Sequence, residues 1–136
     1  MNMSVFLISE PTGVSDSVIS VFYNSYYNTG GKKMAWYVYL AYFASGIFIT
    51  NGIPHFVNGI SGNKFQSPFA SPPGVGESSP IVNVIWGMVN IIIGYVLVYG
   101  VGDFTVGFTC DILLFALGSL VTALGLAWHF GRVRNS

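Results

Sequence analysis

Three long apolar segments contain no charged side chain, and they constrain this chain more than any other feature. They cover residues 34–53, 81–101 and 112–128. A helix needs about 20 apolar residues to cross the hydrocarbon core of a bilayer. The first two segments have that length, and the third reaches it as a span at 107–130, around Asp111. The sequence therefore predicts an all-α membrane protein, a bundle of three transmembrane helices.

The composition fits a chain surrounded by lipid. Charged residues make up 7% of it, against roughly 25% in an ordinary soluble protein, and hydrophobic residues make up 52%. The formal net charge is zero, and without a cluster of Lys or Arg no nucleic-acid partner is expected. Cys110 is the only cysteine, which excludes an intrachain disulfide. We expect the lipid bilayer to surround the chain, in the cytoplasmic membrane if the source is bacterial.

Residues 1–31 form a separate polar and aromatic segment ahead of a membrane domain at residues 32–136. A helical pattern begins near Ser15 and would end at Gly30. The tyrosines of this segment suit the boundary between membrane and water, which predicts an interfacial helix. Its content of Ser and Asn fits a disordered tail equally well, so both alternatives stay open. No secretory signal peptide is expected, because the segment lacks Lys, Arg and a long apolar stretch.

Residues 54–80 form a long loop that is rich in proline and glycine. It contains five prolines, four glycines and three phenylalanines. Proline restricts the backbone, and a loop of this length in a compact domain is often a lid or a binding loop. Exposing the phenylalanines to water would be unfavourable. We therefore predict an ordered loop that folds back onto the ends of the helices, with Pro54 ending or kinking the first span.

Small and polar residues recur at helical spacing on one face of the second span, and the third span carries a similar stripe. The residues are Asn83, Gly87, Asn90 and Gly94 on the second span, and Ser119 and Ala123 on the third. Glycine permits the close approach of another helix, and an amide within the membrane needs a hydrogen-bond partner. We predict that these are helix-packing residues and that the two stripes face each other.

Three spans place the end of the first, the start of the second and the end of the third at one face of the membrane. Four polar side chains lie there: His55, Glu77, Asn83 and His129. We predict that they line a ligand site beneath the loop, with no catalytic residue. Two histidines without a fixed ligand spacing are a weak metal or haem signal, so no metal and no cofactor are expected. The alternative stays open that the histidines bond lipid, water or a loop carbonyl and that Glu77 is solvated.

The layout of the spans carries a resemblance to a known family. The first span ends in GIPHF at residues 52–56, a proline-containing loop follows, and Pro80 precedes WGMVNIIIGY at residues 86–95. In this arrangement, residues 34–130 resemble the DoxX-like small membrane proteins. The resemblance implies a four-helix membrane bundle, often without an assigned reaction. This chain has three predicted spans, a longer loop, and Asn90 where an acidic residue is common, so no functional residue is carried over.

Two functions fit these features. The leading hypothesis is a non-catalytic accessory or scaffold subunit, in a homo-oligomer or with other membrane subunits, because three short spans bury little surface among themselves. The alternative is a membrane enzyme or binding protein for a lipid, quinone or other amphipathic ligand, with its site under the loop at 54–80. A small transporter is the least supported option. Basic residues do not decide the orientation, since Lys32 and Lys33 at one face balance Arg132 and Arg134 at the other.

Overall fold

A computed structural model describes residues 35–135, together with Ser20. This part of the chain contains three long helices, and two short strands lie between the first helix and the second. The elements are α1 (Trp36–Ile60), β1 (Phe65–Gln66), β2 (Glu77–Ser78), α2 (Pro80–Tyr99) and α3 (Cys110–Arg134). All three helices are long and apolar enough to cross a membrane. The predicted segment at 1–31, with its interfacial helix or disordered tail, lies outside the described residues apart from Ser20.

Helix α1 continues through Pro54 and ends at Ile60, whereas the predicted span ended at residue 53. Proline removes one backbone donor from a helix, but membrane helices tolerate it where neighbouring groups compensate. The carbonyl that loses its donor is that of Thr50, whereas the Asn58 amide donates a 2.7 Å hydrogen bond to the carbonyl of Pro54 in the turn that follows. The last turn also packs tightly on α2, because a Cβ atom at Gly59 would lie 2.7 Å from the carbonyl oxygen of Pro80. Packing therefore holds the helix together beyond the proline.

Helix α1 packs along both other helices, while α2 and α3 make hardly any contact with each other. The contact with α2 relies on small residues from both sides. A Cβ atom at Gly52 would lie 2.8 Å from the carbonyl oxygen of Gly87, and Ser45 donates a 2.8 Å hydrogen bond to the carbonyl of Gly94. The two asparagines Asn51 and Asn90 are joined by a 3.2 Å bond between the same two helices. The stripe on α2 therefore faces α1 and not α3.

The contact between α1 and α3 also depends on glycine. A Cβ atom at Gly46 would overlap the carbonyl oxygen of Phe115, and one at Gly118 would overlap that of Phe43. Ser119 donates a 3.4 Å hydrogen bond to the carbonyl of Gly46. Ala123, in contrast, is exposed and does not lie between helices of this chain. The predicted pairing of the two stripes is therefore corrected: α1 supplies small residues of its own and separates the stripes.

The segment between α1 and α2 is built around a two-residue antiparallel pairing, Phe65 with Ser78 and Gln66 with Glu77. Inside this hairpin, Ser67 is buried and accepts backbone hydrogen bonds, from Phe69 to its hydroxyl and from Gly74 to its carbonyl. Gly74 has a φ of +75°, which favours glycine. The backbone polar groups of the loop therefore find partners within the chain, and the hairpin presents Gln66 and Ser67 to the helix ends.

Candidate functional site

A cavity of about 410 Å³ lies at the end of the helices where the hairpin packs. All three helices and the hairpin contribute to its wall. The lining residues are Asn51 and His55 from α1, Trp86 from α2, Leu126, His129 and Phe130 from α3, and Gln66, Ser67, Pro68, Pro73 and Gly74 from the hairpin. A volume of this size is within the usual range for small-molecule sites, about 300–1,000 Å³. The cavity is therefore the place in the described chain where polar side chains from distant segments converge.

His55 is held in one orientation by Asn83. It is 3% exposed, and its Nδ1 lies 2.9 Å from Oδ1 of Asn83. The Asn83 amide nitrogen lies 3.1–3.2 Å from the carbonyl oxygens of Phe65, Ser78 and Ser79, so it donates and Oδ1 accepts. The hydrogen-bond pattern thus assigns the His55 proton to Nδ1. Nε2 is the ring nitrogen left to accept a hydrogen bond from a molecule in the cavity.

His129 fastens the hairpin to the end of α3. Its Nε2 lies 2.8 Å from the carbonyl oxygen of Gly74. A carbonyl can only accept, so the histidine donates from Nε2. This bond joins residues that are 55 positions apart in the sequence. His129 therefore lines the cavity and also links the hairpin to α3.

Two polar atoms on residues that line the cavity have no hydrogen-bond partner in the described chain. They are Oε1 of Gln66 and Nε1 of Trp86, and both are buried. Gln66 as a whole is 5% exposed. Leaving such a group without a partner costs about 1–3 kcal/mol, and native proteins rarely do so without a functional reason. The two atoms, an acceptor and a donor, are covered by protein and belong to residues on different walls of the cavity.

Aromatic contacts hold the polar side chains in place. The ring of Phe65 is 3% exposed and lies edge-on to His55 and Phe130, at centroid distances of 5.2 and 4.8 Å. Phe69 of the hairpin contacts the indole of Trp86 in the same manner, at 5.1 Å. Such edge-to-face pairs restrict the rotation of both rings. The hairpin thus positions His55 and Trp86 through aromatic packing.

The four predicted ligand residues do not all line the cavity. His55 and His129 belong to its wall. Asn83 is fully buried behind His55 and orients it. Glu77 is exposed on β2, where its backbone pairs with Gln66, and it is not a lining residue. The structure therefore does not bring Glu77 to this cavity, and its predicted part in ligand binding stays a prediction.

Sequence reasoning missed Gln66 and Trp86. Trp86 lies in the second apolar segment, where its indole N–H is a donor that a buried tryptophan usually satisfies, and this was an available signal. Gln66 offered none, because a single glutamine in a loop rich in proline and glycine gives no sign that it is buried. The polar residues predicted on one face of α2 have different roles. Asn90 forms hydrogen bonds to Asn51 and to the carbonyl of Trp86.

The cavity wall carries no fixed charge. Among the described residues that line it, none is Lys, Arg, Asp or Glu. Arg134 lies over the ring of Phe65 at 5.3 Å and lines a neighbouring groove of about 550 Å³. Within residues 35–135, no group of three or more His, Cys, Asp or Glu side chains is arranged to hold a metal ion. The arrangement is suited to hydrogen bonding with a neutral group.

Comparisons with known proteins do not assign the chain to a family. No protein-family model matches the chain. Comparison with curated proteins gave no match, and comparison with solved structures gave none either. The resemblance to DoxX-like proteins stays a prediction, and the function has to be argued from the cavity.

Proposed function

We propose that this chain is an integral membrane protein that binds a small amphipathic molecule in the cavity beneath the hairpin. The observation that carries this proposal is the pair of buried atoms without partners, Oε1 of Gln66 and Nε1 of Trp86. A ligand head that bonds both would remove the cost of leaving them unsatisfied. The mostly apolar side chains around them, such as Leu126 and Phe130, suit the first part of a hydrocarbon tail.

The position of the cavity supports a ligand that arrives from the membrane. The cavity lies near the end of α1, near the start of α2 and near the end of α3. In a bilayer spanned by these three helices, this end of the bundle lies where lipid headgroups meet the hydrocarbon core. Within the described residues, α2 and α3 scarcely touch, and we propose that the ligand enters between them with its head toward the hairpin.

The direct test is to identify what co-purifies with the protein. Native mass spectrometry of the full chain in mild detergent should detect a retained small molecule. We expect Gln66→Met and Trp86→Phe to lose it, since each removes one polar atom and keeps the bulk of the side chain. Tyr95→Phe is the matched control on α2, because Tyr95 is 61% exposed and far along the helix from the cavity. Retention that is equal in all four proteins would contradict the proposal.

A second candidate is a subunit of a larger membrane assembly, and one feature of α3 favours it. Ala116, Ala123 and Ala127 lie on one face of this helix and are exposed. Small residues let another helix approach closely in a membrane. We propose that this face packs on a second copy of the chain or on another subunit. Crosslinking in native membranes should capture the complex, and Ala123→Leu should abolish it while Leu124→Ala leaves it intact.

A further inference from the structure

We infer that the head of the bound amphiphile is uncharged and carries two hydroxyl groups. This inference rests on the proposed ligand site and concerns the chemistry of that site. The hydrogen-bonding groups around the cavity are mixed in kind. His55 has an acceptor at Nε2, and two buried atoms of lining residues have no partner in the described chain, the donor Nε1 of Trp86 and the acceptor Oε1 of Gln66. A head that matches them must both donate and accept hydrogen bonds.

Hydroxyl groups meet this requirement, and acidic heads do not. Each hydroxyl donates one hydrogen bond and accepts others, so two hydroxyls can serve the two acceptors and receive the indole N–H. A carboxylate or phosphate only accepts, and would leave Nε2 of His55 without a donor. It would also be buried without a fixed cation, because no Lys or Arg is among the described residues that line the cavity. Anionic heads are therefore disfavoured for two reasons, the unmatched acceptor and the missing cation.

A cationic head is disfavoured for the corresponding reason. No carboxylate is found among the described residues that line the cavity, and Glu77 is exposed on β2. An ammonium group in this position would give up its water without gaining a charged partner. Neutral amphiphiles with a diol head, of which a monoacylglycerol is a simple example, satisfy the cavity without this cost.

To reach the two unpartnered atoms, the Gln66 amide has to turn and the Trp86 indole has to shift against Phe69. Both atoms are covered by protein in the described structure. The terminal torsion of a glutamine is broad, and a half-turn exchanges its oxygen and nitrogen. The Gln66 amide can therefore present either an acceptor or a donor to the ligand while the backbone pairing of β1 with β2 is kept.

Four probes with the same oleoyl chain test the inference: monooleoylglycerol, oleate, oleylamine and methyl oleate. The full chain is placed in nanodiscs as a Trp36→Phe, Trp128→Phe variant, which keeps Trp86 as the only tryptophan. Binding is followed by the change in Trp86 fluorescence. We expect monooleoylglycerol to bind at least about tenfold more tightly than each other probe, the equivalent of one or two good hydrogen bonds. Gln66→Met should reduce this preference by about fivefold.

The outcomes separate the inference from the proposed function. If oleate, oleylamine or methyl oleate binds as tightly as monooleoylglycerol, the diol head is wrong while ligand binding stands. If no probe binds and no small molecule co-purifies, the ligand site itself is wrong. Circular dichroism on the Gln66→Met protein establishes that it folds. Should that variant unfold, His55→Phe gives the same test from the opposite wall of the cavity.

Discussion

Nδ1 of His55 lies 2.9 Å from Oδ1 of Asn83, and this bond links the last turns of α1 to the first turn of α2. The same asparagine amide bonds three carbonyl oxygens, one on β1 and two at the entrance to α2. One side chain thus connects both long helices to the hairpin. Asn83 is fully buried and does not line the cavity. It affects the geometry of the cavity indirectly, because it holds His55 and the hairpin in place.

Replacing Asn83 by Leu should destabilise the protein strongly. The substitution leaves the buried Nδ1–H of His55 without a partner and removes the side-chain donor to three carbonyls, of which that of Ser79 keeps the backbone N–H of residue 83. We expect a loss of about 3 kcal/mol in the free energy of unfolding. Unfolding by sodium dodecyl sulfate, followed by circular dichroism, measures this loss. Asn58→Leu is the control, since Asn58 bonds only within α1 and should cost about 1 kcal/mol or less. Equal effects of the two substitutions would refute the assigned role.

Replacing His129 by Ala should release the hairpin and spare the helices. The substitution removes the donor to the carbonyl of Gly74. We expect faster amide hydrogen exchange in residues 67–76, by about five- to tenfold if the bond contributes about 1 kcal/mol. Hydrogen exchange measured by mass spectrometry tests this, and unchanged protection of the hairpin would contradict the assigned role of His129.

Adding a methyl group at Gly118 should force α1 and α3 apart. A Cβ atom there would overlap the carbonyl of Phe43, and overpacking of this kind costs about 1–3 kcal/mol. Gly125→Ala is a matched control on the same helix, because nothing lies within 4 Å of its added Cβ. Alanine favours helix over glycine, so the control should be neutral or more stable by about 0.5–1 kcal/mol. Thermal unfolding in detergent compares the two, and similar shifts would contradict the predicted packing.

Truncating Phe65 to Ala should cost about 3–5 kcal/mol, the usual range for a buried aromatic side chain. The ring contacts His55, Phe130 and Arg134, which belong to two different helices. Phe108→Ala serves as the control, because Phe108 is 73% exposed in the connection between α2 and α3. We expect the first variant to lose both stability and the retained ligand. A Phe65→Ala protein that unfolds like the Phe108→Ala protein would show that the ring is dispensable.

The apolar segments carried most of the fold prediction. Three helices long and apolar enough to cross a membrane are confirmed, because length and hydropathy are local properties of the sequence. The end of α1 was not predictable in the same way. Pro54 is a local signal to stop, and the tight approach of Gly59 to α2, which keeps the helix going, appears only in three dimensions. Tertiary packing outweighed the local preference at this position.

The site was partly accessible from topology. An odd number of spans brings His55, Asn83 and His129 to one end of the bundle, and all three lie there. Gln66 and Glu77 are direct partners in the strand pairing, so the pairing by itself sends their side chains to the same face of the hairpin. Gln66 is nevertheless buried and Glu77 exposed, because the two strands pack differently against the ends of the helices. No pattern in the sequence indicates how a short hairpin packs on the helices around it.

The central position of α1 has a consequence for truncated chains. Because α2 and α3 share almost no common surface, a fragment that begins after the hairpin has no interface to hold its two helices side by side. Removing α3 instead would leave the glycine-rich contact between α1 and α2 whole. Loss of α1 should therefore separate α2 from α3, whereas loss of α3 should leave α1 and α2 packed together.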